Sequence, residues 1–199
     1  MRIIKFFIIA KYEKKQTRIG FWKVFRNFAA TMTEVKVKDQ DLQRAAGEGM
    51  DAFLRVFVDA IYGAIGGELT PETMVTLTGE QVTLLAWDVL HTEVMDGGFV
   101  QLIYNGYGPF IFKNPFAKVM KQWGLRELSK LVYDGHTLWL KYRDKIEREL
   151  SDDEFMALFE QMPEFDDLDD TFVENEEQWT ADIAHYVDEH IEQFVKIED

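Results

Sequence analysis

The chain has 199 residues, 47% hydrophobic and 14% aromatic, which is enough to bury a substantial core and too apolar for a disordered polymer. It has no cysteine, which excludes disulfides, thiolate metal sites and a cysteine nucleophile, and suits a reducing, cytoplasmic setting. The formal charge of −14 is spread unevenly, because residues 1–31 carry eight Lys or Arg and one Glu, whereas residues 151–199 carry eighteen Asp or Glu and one Lys.

In chain order, the largely apolar stretch from Ile3 to Ala10, interrupted by Lys5, is followed at once by Lys11, Lys14 and Lys15. The run is too short to span a bilayer, so no transmembrane segment is expected. The favoured expectation is that residues 1–31 are a basic extension, disordered or a start-site artefact, and that the native chain starts at Met32. Residues 33–38 alternate like a short, isolated strand.

From Asp39 the positions Leu42, Ala46, Met50, Phe53, Phe57, Ile61 and Ile65 recur at helical spacing and predict one long helix ended by Gly66 and Gly67. Thr70-Pro71 predicts a helix start, and Thr78 with Gln81 forms a capping box for a helix running to about Met95. Asn114-Pro115 opens a further helix closed by Gly124, and a long one follows with Leu128, Leu131, Val132, Leu138, Trp139, Tyr142 and Ile146. Ser151 with Glu154 is a second capping box. Pro163 ends that short helix, and Trp179, Ile183, Tyr186, Val187, Ile191 and Phe194 mark the last one. The pattern predicts an all-α protein with a single compact domain of about six or seven helices over residues 32–199, its acidic C-terminal region being residues 151–199.

The most distinctive local segment contains Glu93, Gly97, Gly98, Phe99, Gln101, Asn105 and Gly108. Paired glycines permit a sharp reversal with positive φ, after which Phe99 packs back into the junction. Gln101 and Asn105, four residues apart, can share a helix face with Glu93 near it. This group either lines a ligand pocket or bonds backbone at the helix breaks and locks the bend, with the second reading favoured. Together with the stretch Phe165-Asp166-Asp167-Leu168-Asp169-Asp170-Thr171-Phe172 ahead of the final helix, these residues resemble the helical family named for the DNA-mimic protein of Neisseria. The resemblance extends from Asp39 to Phe194. It implies a bacterial all-α fold with no catalytic residues to carry over, and it makes DNA mimicry an expectation for the acidic region.

Charge supports the same direction. If wholly helical, residues 151–199 would extend about 74 Å and carry one net charge per about 4.3 Å, against one per about 3.4 Å on a single DNA strand. The expected role is an acidic protein-interaction module for a basic partner, such as the DNA-binding face of a regulator or nucleoid protein. Asp152, Asp153, Asp166, Asp167, Asp169, Asp170, Glu174, Glu176 and Glu177 are the expected partner-binding residues, with the four of the 166–170 stretch facing solvent. Direct nucleic-acid binding by this acidic core is excluded on charge, and a homodimer is compatible with the reading.

The alternative is a small-ligand or metal-dependent enzyme built around Glu93, Gln101 and Asn105, or around the helical pairs Asp88/His91 and Asp182/His185. Acidic helices generate such pairs by chance, and no catalytic motif accompanies them. No enzyme activity, cofactor or metal is therefore expected.

Overall fold

The structure, a computed structural model, describes residues 32–198. The basic extension expected over residues 1–31 lies outside the described residues. The described chain enters through β1 (Lys36–Lys38) and passes directly into α1 (Asp39–Glu48) and α2 (Met50–Ala64). The single helix expected from Asp39 to Ile65 is thus two, because Gly49 takes φ 129° and ψ 174° between them. That break re-phases the apolar stripe. Leu42 and Ala45 are buried on α1 and Phe53, Leu54, Phe57, Val58 and Ile61 on α2, whereas Ala46 and Met50, expected inward, face out.

After α3 (Pro71–Met74), α4 (Gly79–Tyr104) is launched by a reciprocal cap in which Gln81 N donates to Thr78 Oγ1 (3.1 Å) and Thr78 N donates to Gln81 Oε1 (2.9 Å). The Gln81 amide also donates to Phe194 O at 2.6 Å, so one cap residue ties the start of α4 to the chain's last turn. The helix expected to end near Met95 instead continues through a kink at Gly97 and Gly98 to Tyr104. The next elements are α5 (Gly108–Phe112), α6 (Phe116–Gln122), α7 (Arg126–Ile146), α8 (Asp152–Gln161) and a 3-10 turn, Pro163–Phe165. Then α9 (Asp166–Glu189), α10 (Ile191–Phe194) and β2 (Lys196–Glu198) complete the described chain.

The all-α expectation holds, but the described residues contain ten α-helices rather than six or seven. Three of them, α3, α5 and α10, have only four or five residues, too few to show a helical period. The second difference concerns the acidic stretch: it does not precede the final helix but forms the first turns of α9.

Helix α9 packs against α2, α4 and α7, with α4 at the centre. Phe99 of α4 and Phe172 of α9 are fully buried and meet edge to face at 6.5 Å, and Phe172 meets Trp179 in the same way at 5.6 Å. The ends of the described chain are joined by a parallel pairing of β1 with β2, Val37 opposite Ile197. Ion pairs Lys36–Glu198 (2.7 Å) and Lys196–Glu34 (3.1 Å) flank this ladder. Among the described residues, no helix is long and apolar enough to cross a membrane.

Candidate functional site

The two sequence segments that carry the family resemblance form one junction. At Gly98 α4 takes φ 72° and ψ −177°, which frees the following backbone N–H from the helical ladder. Asp169, on the third residue position after α9 begins at Asp166, inserts its carboxylate there, and Phe99 N donates to Asp169 Oδ1 at 2.8 Å. A Cβ on Gly98 would collide with that carboxylate, its Cγ lying 2.8 Å away. Glycine is thus required twice at this position, for its backbone angle and for the approach of the partner helix.

The polar residues of the signature bracket the same kink. Glu93 Oε2, before it, accepts from Asn105 Nδ2 (2.7 Å), after it, and from Gln101 Nε2 at a longer 3.5 Å. Gln101 Nε2 also donates to Asp96 Oδ2 at 2.7 Å. Brace and bend were expected together, but the brace runs from side chain to side chain rather than to backbone, because the kink keeps both halves of α4 close enough for Glu93 to reach Asn105. Gly97 leaves room for the Gln101 amide, and Gly108 lets the Trp139 indole approach, since a Cβ there would fall 2.6 Å from Nε1.

Asp169 is therefore not one of the solvent-facing charges expected of it. Burial, with Asp166 and Asp170 beside it, pushes its carboxyl up to about 6, against the downward pull of the Phe99 N–H. Glu176 also turns inward: its Oε2 lies 2.9 Å from His91 Nε2, beside the rings of Trp87 and Phe172. The expected partner-binding set divides in consequence. Asp152, Asp153, Asp166, Asp167, Asp170, Glu174 and Glu177 are exposed, and Asp169 and Glu176 hold α9 to α4.

Four of the exposed acids of α9 follow one face. Asp167, Asp170, Glu174 and Glu177 stand three and four residues apart, a row of about 15 Å with one charge per about 5 Å at 1.5 Å rise per residue. None of the four has a cation within ion-pair distance among the described residues. Two separate helices, rather than one rod, carry the acidic region, and Asp152, Asp153 and Glu154 cluster in the first turn of α8.

The groups named for an enzyme are engaged elsewhere. Asp88 accepts from Arg55 at 2.9 Å, although burial still pushes its carboxyl up, while His91 faces Glu176 rather than a second ligand. Asp182 accepts from Gln178 at 2.8 Å, and Asp182 and His185 are both exposed. Among the described residues no three His, Asp or Glu side chains converge as a metal site.

Sequence reading missed the roles of Arg55, which neutralises Asp88, and of Tyr107, whose hydroxyl is raised by burial with Glu93 and Asp88 nearby. Only the tertiary packing brings these side chains to the signature region. The one sequence cue was the Asn105-Gly106-Tyr107-Gly108 turn that carries Tyr107 back over α4.

A family model described as DMP19-like protein matches residues 75–190, which contain both the double-glycine kink and the first turns of α9. The chain is also 34% identical over 128 residues to a Neisseria meningitidis serogroup B protein named DNA mimic protein DMP19, over 63% of this chain and 77% of that one.

Proposed function

Because the chain belongs to the DMP19-like family, we propose that it is a DNA-mimicking interaction protein, non-enzymatic and cytoplasmic, whose acidic surface occupies the basic DNA-contact face of a regulator or nucleoid protein. The observation that carries this reading is the row Asp167, Asp170, Glu174 and Glu177, exposed and unneutralised on a helix whose other face is locked into the core. A cationic surface gains most from carboxylates that have no internal partner to give up. The row alone is sparser than a DNA strand, one charge per about 5 Å against one per about 3.4 Å, so the flanking exposed acids Asp166, Asp152 and Asp153 contribute to the field.

The test is capture on immobilised full-length chain from lysate of the source organism. DNA-binding proteins should be retained, released by duplex DNA and by ~0.5 M salt, where screening reaches only a few ångströms, and lost with the variant Asp167→Lys/Asp170→Lys/Glu174→Lys/Glu177→Lys. Retention that survives both the DNA competitor and the charge reversal would sink the reading.

A further inference from the structure

Two exposed apolar side chains stand together at the edge of the acidic face. Met95 of α4 is 43% exposed and Val173 of α9 is 54% exposed. The contacts that join these two helices fix where the side chains lie. His91 Nε2 is 2.9 Å from Glu176 Oε2 at one point, and further along Phe99 N donates to Asp169 Oδ1 at 2.8 Å, so α4 and α9 run antiparallel. Met95 comes four residues after His91 and Val173 three before Glu176, which brings them within about 2 Å of the same level along the seam. Each is turned only about 40–60° around its helix from that bonded residue. Their sequence neighbours Val94 and Phe172 are buried on the core side of the seam, which leaves Met95 and Val173 on its solvent side.

Isolated exposed apolar residues are ordinary, but this pair is ringed by charge. Asp170 and Glu177 flank Val173 one helical turn to either side, Glu174 follows it, and Asp96 follows Met95; all four acids are exposed. Solubility has no use for an apolar spot at that place. A contact has, because a charged rim orients a partner and an apolar centre keeps its hold when salt screens the rim. The major groove of DNA presents the same combination, with thymine methyl groups standing among acceptor atoms between the phosphates.

We propose that Met95 and Val173 are an apolar anchor at the edge of the acidic row, and that they receive a basic surface with an aliphatic or aromatic side chain set among its cations. A protein that reads thymine methyl groups carries such a surface. The inference rests on the reading of the row as the site of a basic partner, and it favours a base-reading regulator over a protein that contacts phosphates alone. Met95, unbranched and polarizable, adapts to either kind of side chain, while the branched Cβ of Val173 gives a stiff surface on the helix.

Calorimetric titration of the full-length chain with two oligolysine peptides of equal length and charge, one with a central Leu and the other with a central Ser, separates the anchor from the row. The Leu peptide should bind at least about threefold more tightly. Raising the salt from ~0.05 M to ~0.15 M should weaken both peptides and leave their ratio unchanged, because screening acts on the charges alone. Met95→Ser/Val173→Ser should hold the Ser peptide within about twofold of the wild type and abolish the preference for Leu, with unchanged circular dichroism. The row variant Asp167→Lys/Asp170→Lys/Glu174→Lys/Glu177→Lys should lose both peptides. Binding of neither peptide by the wild type, or of both by the row variant, sinks the row reading and this inference with it. If the row variant loses both peptides but the wild type binds them equally, or if the preference for Leu survives in Met95→Ser/Val173→Ser, the anchor alone is overturned. A change in the sedimentation mass of the chain itself on Met95→Ser/Val173→Ser would give the pair to a second copy and overturn it too.

Discussion

Asp169 and Asp170 are neighbours in sequence and identical in chemistry, yet they belong to different parts of the molecule. The first is half-buried, receives the Phe99 N–H at 2.8 Å and fastens α9 to the kink of α4; the second is exposed and unpaired on the outer row. A rotation of about 100° per residue around a helix separates the two roles. An acidic run is therefore not a uniform charged surface, and its charges have to be sorted by helix face before they are credited with binding anything.

The comparison breaks most severely at Gly98. Gly98→Val forces a β-branched side chain into a left-handed backbone, costing about 1–2 kcal/mol, and displaces the Asp169 bond, worth about 1–3 kcal/mol. A total loss on the order of 4 kcal/mol is expected from urea midpoints. If Asp169 is the obstacle, Gly98→Ala and Asp169→Ala together should cost less than the sum of the single changes by at least about 1 kcal/mol.

The second effect depends on pH. Because the folded-state value of Asp169 is raised to about 6 from 3.8, its protonated form is favoured in the fold. The corresponding stability is fully present below about pH 4 and is lost as the pH rises through about 6. Asp169→Asn keeps an oxygen acceptor for Phe99 and cannot ionise, so it should gain on the wild type between pH 4 and pH 8 by up to about 2–3 kcal/mol. Parallel stability profiles for the two proteins would show that burial does not disfavour the ionised form.

At about pH 4, where Asp169 is protonated in the fold and buries no charge, Asp169→Ala should destabilise by about 1–3 kcal/mol through the unpaired Phe99 N–H, while Asp170→Ala stays within about 0.5 kcal/mol. Equal losses would erase the distinction between the two faces. The smallest expected change is on the buried side of the same helix. Thr180 Oγ1 is buried with no hydrogen-bond partner among the described residues, so Thr180→Val should be neutral or stabilising by up to about 1 kcal/mol in thermal unfolding.

What could be read early shares one property, locality. The caps at Thr70, Thr78 and Ser151 each answer to a residue three positions on, and all three form reciprocal bonds. Gly66, Gly67 and Gly124 close helices for the same reason, since the last turn and its partner are adjacent in sequence. Gly49 escaped notice because an apolar stripe continues across it on paper, and helix phase becomes visible only when the two pieces are packed. The pairing of β2 with β1 was missed too, its partners standing 160 residues apart in register.

The sequence by itself determined the helical class, most helix starts and stops, and the segregation of charge, because these follow from side-chain period, capping chemistry and composition. It also marked the double glycine as a bend. Only the tertiary structure decided which acids are free, since that depends on how α9 is rotated against α4 and on which backbone group the kink exposes. Asp169 and Glu176 went inward because Phe99 N–H and His91 stood there to receive them, and Asp167, Asp170, Glu174 and Glu177 remained outside because the helix has only one face to bury.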